Sequence, residues 1–249
     1  MPVMDEFKAE RKAILQKSPK EKLAYFFDYY KWHTVAVIVA VTAVISLTVH
    51  LINRKDCALY VCLLNTTEYE QTDNYIQSFE EYAEIDRSDY EVVFDTSMYI
   101  EIGGRDSITA TSLQKLAIYT AAGDLDVLVV KPELIEYYVD QGIFYDLRQL
   151  LSVQQLSLYE PYFYYVDQAI LDEVKAAEDR GEEYNAVFSD PRQPEAMKDP
   201  VPVGLFLDDC QKLQESLLFG DEESVLSVII NTSRPETALK FIDYVMQEP

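Results

Sequence analysis

The chain has 249 residues, of which 49% are hydrophobic and 12% aromatic, a composition that excludes an intrinsically disordered protein. Its formal net charge is −23, and the charge is unevenly distributed, since residues 56–249 hold 12 Lys/Arg against 39 Asp/Glu. Such an acidic region repels phosphates and offers no cationic patch from which counterions would be released. We therefore expect no nucleic-acid partner.

The three cysteines, Cys57, Cys62 and Cys210, are too few for a disulfide framework. Cys57 and Cys62 are an odd number of positions apart, so on one strand they point to opposite faces and do not pair with each other. A bridge to Cys210 is one alternative. The favoured interpretation is three buried thiols that pack as small hydrophobes.

Residues 35–52 form an uncharged apolar run, VAVIVAVTAVISLTVHLI, which contains neither Pro nor Gly. As an α-helix this run spans about 27 Å, close to the hydrocarbon thickness of a bilayer. The preceding segment YFFDYYKWH is typical of aromatic residues at headgroup depth. Ser18 and Glu21 match a capping box with Pro19 at the first helical position, so we expect the helix to begin near Pro19.

The alternatives to a transmembrane helix are a core helix of a soluble protein and a cleaved signal peptide. An uncleaved signal anchor is favoured because 34 residues precede the run and no A-x-A-like cleavage site follows it. Lys and Arg are concentrated before the run, which places the N-terminus in the cytoplasm. The sequence thus predicts a cytoplasmic basic and aromatic segment (1–34), a transmembrane helix (35–53) in contact with the lipid bilayer, and an extracellular domain (54–249) at the cell membrane.

Apolar runs and helical periodicity alternate along the predicted domain. Strands are predicted at residues 57–64, 90–96, 125–130, 203–207 and 224–230. Helices are predicted at residues 73–83, 107–121, 132–141, 171–183, near 209–218 and after 233, with Ser107 capping the second and Ser233 and Glu236 forming a capping box on the last. This order predicts an α/β domain with a mixed, largely parallel sheet.

Two segments resemble the extracellular solute-binding proteins of ABC importers. One contains the turn Gly123-Asp124-Leu125-Asp126-Val127 and the later Gly142-Ile143-Phe144-Tyr145-Asp146-Leu147, and the other is NTSRPETALKFIDYVM at residues 231–246. The chain also looks like short, helix-anchored proteins of Gram-positive Firmicutes that begin with a YYKWH belt. The resemblance implies a type 2 periplasmic-binding-protein-like fold with a small or missing second lobe, and a membrane-anchored module that binds a solute.

Ligands of open α/β sheets bind beyond the carboxyl ends of strands, where helix N-termini offer free N–H groups. Polar residues follow three predicted strands. They are Asn65, Thr66 and Thr67 after the first, Lys131 after the third, and Asn231, Thr232 and Ser233 after the last. These seven residues are the candidate site for a small anionic or polar ligand, and the alternative is that they only cap turns and helices.

Other patterns favour structural interpretations. The aromatic run at residues 159–165 suits a core or joint better than a sugar-stacking or peptide-stacking surface. The acidic pairs at 208–209 and 220–223 lack the spacing of a calcium loop and are interpreted as solvated surface. Both histidines, His33 and His50, lie at the two ends of the membrane span, and no nucleophile-elbow, zinc-ligand or phosphate-loop motif occurs. We expect no catalytic residue, no metal and no cofactor.

Two functions fit these observations. The first is an extracellular receptor or sensor for a small polar solute. The second is a structural or regulatory interaction protein of the cell envelope, which keeps the fold without a ligand and binds a membrane or envelope protein.

We expect the full-length protein to stay with the membrane fraction after carbonate extraction, because an uncleaved apolar helix is retained by the hydrocarbon core. Mass spectrometry of the purified protein should place the mature N-terminus before residue 35. Release by carbonate, or a mature N-terminus beyond residue 50, would contradict the anchor.

Overall fold

The computed structural model describes residues 18–52, 54–68, 71–182, 184, 186–208, 210, 213, 217–218 and 223–247. The chain divides into two compact units, Met1–Arg54 and Lys55–Pro249. In the first unit, helix α1 spans Pro19–Ile52. The predicted capping box is confirmed, because Ser18 N donates to Glu21 Oε2 (3.0 Å) and Glu21 N donates to Ser18 Oγ (3.5 Å).

Within the described part of the chain, one helical segment is long and apolar enough to cross a membrane. It spans Lys31–Val49, has a mean hydropathy of 2.0 and is 0% buried. The core helix of a soluble protein would be mostly buried, so that alternative does not fit, whereas a signal sequence shares the length and composition seen here. Trp32 of the aromatic belt is exposed, and the side chains of residues 25–30 lie outside the described residues.

The second unit is built on a six-stranded sheet. Its strands are β1 (Asp56–Leu63), β3 (Tyr90–Asp95), β4 (Val127–Val130), β5 (Phe163–Asp167), β6 (Pro200–Phe206) and β8 (Val225–Val228). Across the sheet their order is β3-β1-β4-β8-β6-β5. Two short strands, β2 (Thr67–Glu68) and β7 (Leu217–Leu218), pair with each other in a separate antiparallel sheet.

The predicted mixed α/β sheet is confirmed, but it is parallel in one half only. Strand β1 pairs parallel with β3 and with β4. Strand β8 is antiparallel to both β4 and β6, and β5 is antiparallel to β6. The sheet is therefore not largely parallel, because the last strand enters its middle in the reverse direction.

Helices pack on both faces of the sheet. They are α2 (Thr72–Tyr82), α3 (Ser107–Ala122), α4 (Pro132–Val139), α5 (Leu147–Leu150), α6 (Val153–Tyr159), α7 (Gln168–Asp179) and α8 (Pro235–Met246). Residues of α2, α5, α6 and α8 share one core cluster with Leu59, Val61 and Leu63, and residues of α3 and α4 share the other with Cys62 and Leu64. Side chains alternate between the faces of a strand, so β1 supplies both clusters.

All three cysteines are free thiols. Cys62 and Cys210 are buried in the two different core clusters, on opposite faces of the sheet, and Cys57 is half-buried. The alternative of a disulfide bridge to Cys210 is therefore not realised.

Several predicted helix ends are shifted by the actual capping contacts. Helix α3 is capped by Asp106 rather than Ser107, since Asp106 Oδ1 accepts from Ile108 N (2.8 Å). Helix α8 begins at Pro235 with no side-chain cap, so the Ser233–Glu236 capping box is wrong. The helix predicted near residues 209–218 lies largely outside the described residues, and its last two residues form β7 instead.

The aromatic run at residues 159–165 is part of the core, as expected. Tyr159, Phe163 and Tyr164 are buried, and Tyr162 and Tyr165 pack against the core from partly exposed positions. The run also supplies edge strand β5, which the sequence prediction missed although aromatic residues favour strands.

Asp126, directly before β4, is fully buried and bonded to donors from distant parts of the chain. Its carboxylate accepts from Tyr60 N of β1 (2.7 Å), from Arg234 Nε (2.7 Å) and from the Thr232 hydroxyl. Arg234 also donates to the carbonyl oxygen of Asp124 (2.5 Å). A buried carboxylate is tolerated only when it is paired and hydrogen-bonded, so these contacts fasten the segment after β8 to the start of β4.

We predict that Asp126→Ala lowers the free energy of unfolding by about 3–5 kcal/mol, because it leaves the Arg234 guanidinium without its ion-pair partner. Urea denaturation measures the change. Asp179→Ala, which removes an exposed carboxylate of α7, is the control and should change the same quantity by no more than about 0.5 kcal/mol. Equal effects of the two substitutions would contradict the role given to Asp126.

Candidate functional site

The seven predicted ligand residues are divided between two opposite edges of the sheet. Strands β1 and β4 are parallel, so the segment 65–67 and Lys131 follow their carboxyl ends on one edge. Strand β8 is antiparallel to β4, with Val228 beside Val127, so residues 231–233 emerge at the amino end of β4. The structure therefore does not bring the seven residues together.

Asn65 fastens the loop that follows β3. Its backbone is left-handed (φ 59°), a conformation that Asn tolerates better than most residues. Its side-chain amide donates from Nδ2 to the Ile100 carbonyl oxygen (2.9 Å) and accepts on Oδ1 from Ile100 N (2.8 Å). Both functional atoms of the amide are thus engaged inside the protein, which matches the capping alternative at this position.

The neighbouring candidates occupy different environments. Thr66 is buried, and Thr67 lies in β2 with a side chain outside the described residues. Lys131 is half-buried at the N-cap of α4 and lines a shallow hollow of about 330 Å³ with Pro132, Glu133 and Glu223. Lys131 is thus placed at the mouth of an open cavity.

Residues 231–233 bind the turn before β4. Asn231 donates from Nδ2 to the Thr120 carbonyl oxygen, the Thr232 hydroxyl donates to Asp126, and Ser233 Oγ donates to the Gly123 carbonyl oxygen (3.3 Å). The backbone is equally close, since a Cβ at Gly123 would lie 2.9 Å from the Asn231 carbonyl oxygen.

These contacts join the two sequence segments on which the resemblance rests. The turn 123–127 and the segment 231–246 are more than 100 positions apart, yet Thr232 and Arg234 both reach Asp126. The packing of β4 against β8 accounts for the polar residues of both segments. The sequence pattern that they form therefore indicates a fold rather than a ligand site.

A polar network at the carboxyl end of β3 was not predicted. Lys115 Nζ of α3 donates to Asp95 Oδ2 (2.7 Å) and to Ser97 Oγ (2.9 Å), and the Tyr60 hydroxyl donates to the same Asp95 oxygen. Burial by itself raises the pKa of Asp95, but the bonds from Lys115, Ser97 and Tyr60 outweigh it and lower the pKa to about 2. This network connects β1, β3 and α3, and the polar groups of its members are hydrogen-bonded to one another.

A groove of about 430 Å³ lies between the end of α4 and α7. We call it the α4–α7 groove. Its floor is apolar and consists of the buried side chains of Val139, Phe144, Val166, Val201 and Val203. A volume of this size lies within the usual range for small-molecule sites, about 300–1,000 Å³.

The rim of the α4–α7 groove is polar and charged. It carries the carboxylates of Asp140, Asp146, Asp172 and Asp199, the cations Arg148 and Lys175, and the amides Gln149 and Gln168. An apolar floor beneath a few convergent polar groups is the usual make-up of a ligand site.

Hydrogen bonds hold both walls of this groove in place. On one side, Ile230 N donates to the Ile143 carbonyl oxygen (2.8 Å), which attaches the segment before α5 to the end of β8. On the other side, the Asp167 carboxylate accepts from Lys198 N (2.9 Å) and Asp199 N (3.0 Å), which holds the start of β6 against α7. Sequence reasoning missed the groove because its residues come from separate segments without a local motif.

The acidic pairs behave as surface. Asp208 and Glu223 both accept from Arg192 Nη2, at 2.6 Å and 3.1 Å, and Asp209 and residues 220–222 lie outside the described residues. Arg192 also stacks on the Phe206 ring, with 3.5 Å between guanidinium carbon and ring centroid. Within the described ranges, no group of three or more His, Cys, Asp or Glu is placed to hold a metal ion.

No protein-family model and no curated protein matches the chain. Among solved structures, iron-bound HitA from Pseudomonas aeruginosa is similar at 12% identity and a TM-score of 0.35, over 76% of this chain and 81% of that one. A substrate-binding domain assigned to a molybdenum ABC transporter from Clostridium difficile is similar at 11% identity and a TM-score of 0.31, over 78% and 93%. The OxyR C206 mutant from Corynebacterium glutamicum is similar at 13% identity and a TM-score of 0.24, over 92% and 74%. A similarity with a TM-score below 0.5 establishes no function.

We predict that the contribution of Asp95 to stability depends on pH. Its pKa of about 2 in the folded protein lies below the unfolded value of about 3.9, so the stabilisation is complete above about pH 4 and is lost as the pH falls toward 2. The difference in unfolding free energy between the natural protein and Asp95→Asn should therefore be largest above pH 4 and should decrease as the pH falls toward 2. A difference that does not vary with pH would contradict the network.

Proposed function

We propose that this chain is a membrane-anchored binding module. Helix α1 acts as an uncleaved signal anchor with its N-terminus in the cytoplasm, and the acidic α/β unit lies outside the cell as a receptor or sensor for a small polar solute. The charge distribution along the sequence and the exposed apolar segment Lys31–Val49 support the anchor.

The observation that carries the binding role is the α4–α7 groove. It is large enough for a small molecule, has an apolar floor of buried valines and Phe144, and presents charged and amide groups around its opening. This location replaces the strand-end cluster as our preferred ligand site, because the amides of Asn65 and Asn231 are engaged in internal hydrogen bonds.

The second candidate function is a structural or regulatory interaction protein of the cell envelope. It is favoured by one observation, namely that residues 55–249 form a single compact unit. In a single compact unit we expect no deep cleft that closes between two lobes. Under this alternative, a membrane or envelope protein would be the partner and the groove would bind no solute.

A thermal-shift screen of the full-length protein in nanodiscs separates the two functions. Amino acids, short peptides, sugars and small ions form the library. A ligand at 100 times its Kd should stabilise the folded state by about 2.7 kcal/mol, which raises the Tm of a domain of this size by roughly 5–10 °C.

The site is tested with a variant that fills the groove. Leu171→Trp enlarges a partly buried lining residue of α7 and should abolish the shift. Val153→Trp, at a position that is 83% exposed on α6, should preserve it. If no compound in the library raises the Tm, the receptor proposal is contradicted and the interaction protein is favoured.

A further inference from the structure

The carboxylates on the rim of the α4–α7 groove outnumber its cations. Arg148 forms a fork with Asp146, with Nε 2.9 Å from Oδ1 and Nη2 2.8 Å from Oδ2. This pair neutralises itself. Three carboxylates, those of Asp140, Asp172 and Asp199, then face the single cation Lys175.

The three remaining carboxylates and Lys175 are not engaged in other ion pairs among the described residues. Among the described residues, Asp140, Asp172, Asp199 and Lys175 form no salt bridge. Asp172 accepts one hydrogen bond, from the neutral amide of Gln168 (2.9 Å), and all four charged side chains belong to exposed residues. The rim thus retains a net negative charge that a bound cation would offset.

The wider field of the domain acts in the same direction. Residues 56–249 carry 12 Lys/Arg against 39 Asp/Glu, so the domain concentrates cations near its surface and repels anions. A bound anion would have to overcome both this field and the local excess of carboxylates, whereas a cation is favoured by both.

The apolar floor of the groove favours a ligand that has an apolar group in addition to its charge. The side chains of the floor, which are 4–7% exposed, offer no hydrogen-bonding group; they are Val139, Phe144, Val166, Val201 and Val203. A fully hydrated inorganic cation gains nothing from such a surface, but an aliphatic or aromatic group removes apolar area from water when it settles there.

We propose that the ligand of the α4–α7 groove is an amphiphilic organic cation, an amine or guanidinium that carries an aliphatic or aromatic group. The cationic group lies at the rim between Asp172 and Asp199, and the apolar group lies on the valine and Phe144 floor. This inference rests on the proposed function, because it requires the groove to be a ligand site.

The test compares three small probes of nearly equal shape and opposite or no charge: benzylamine, benzyl alcohol and benzoate. Binding to the full-length protein in zwitterionic nanodiscs is measured by calorimetry, with empty nanodiscs as the blank. We expect benzylamine to bind at least about tenfold more tightly than benzoate, with benzyl alcohol between them. Raising the salt concentration should weaken benzylamine binding and leave benzyl alcohol binding unchanged.

Charge variants test the residues themselves. The double variant Asp172→Asn and Asp199→Asn should weaken benzylamine binding about three- to tenfold, as expected for two partly exposed charge contacts. Lys175→Gln should strengthen it, because it removes the one unpaired positive charge from the rim. The double variant Glu178→Gln and Asp179→Asn, on the same helix but outside the groove lining, is the control and should leave affinity unchanged.

The failures of the two proposals are distinguishable. If benzoate, or an anionic compound from the thermal-shift library, binds the groove as tightly as benzylamine and Leu171→Trp blocks it, the cationic ligand is overturned and the receptor function stands. If neither the probes nor any library compound binds, both proposals are overturned. If a compound binds and Leu171→Trp has no effect on its binding, the groove is overturned as the ligand site, and the cationic ligand of the groove with it, while the receptor function stands.

Discussion

The fold of the acidic unit depends on one buried charge. Asp126 is fully buried, and the cost of removing its carboxylate from water is offset by donors from β1 and from the residues after β8. No single neighbouring segment supplies all of these donors, so the carboxylate is satisfied only when β1, β4 and the end of β8 are assembled together. The antiparallel pairing of β8 with β4, with Val228 next to Val127, is the arrangement that brings Thr232 and Arg234 to this carboxylate.

The reversed strand β8 has two consequences for function. It carries residues 231–233 to the edge opposite Asn65 and Lys131, which divides the cluster of polar residues expected from the sequence. It also extends the sheet to β6 and β5 and is joined to the segment before α5, through the bonds from Tyr145 N to the Val228 carbonyl oxygen and from Ile230 N to that of Ile143, both 2.8 Å. The α4–α7 groove lies on this added half of the sheet, so one topological feature removes one candidate site and builds another.

The sequence predicted the elements better than their arrangement. Apolar runs located β1, β3, β4, β6 and β8, and Gly123 ended α3 in the left-handed conformation expected of a helix terminus. A short buried run such as VLSV has the same pattern in either direction, so the orientation of β8 could not be read from it. Capping depends on backbone geometry, which is why Asp106 rather than Ser107 caps α3. The groove lay beyond prediction because its floor joins residues from α4, β5, β6 and the loop before α5, and their proximity arises only from tertiary packing.

Cross-strand NOEs in the isotope-labelled protein test the direction of β8 most directly. An antiparallel strand beside β4 predicts contacts that link Val127 with Val228 and Val130 with Val225. A parallel strand would instead link Val127 with Val225 and Val130 with Val228. The second pattern would bring residues 231–233 to the edge of Asn65 and Lys131, and it would contradict both the role of Asp126 and the placement of the ligand in the α4–α7 groove.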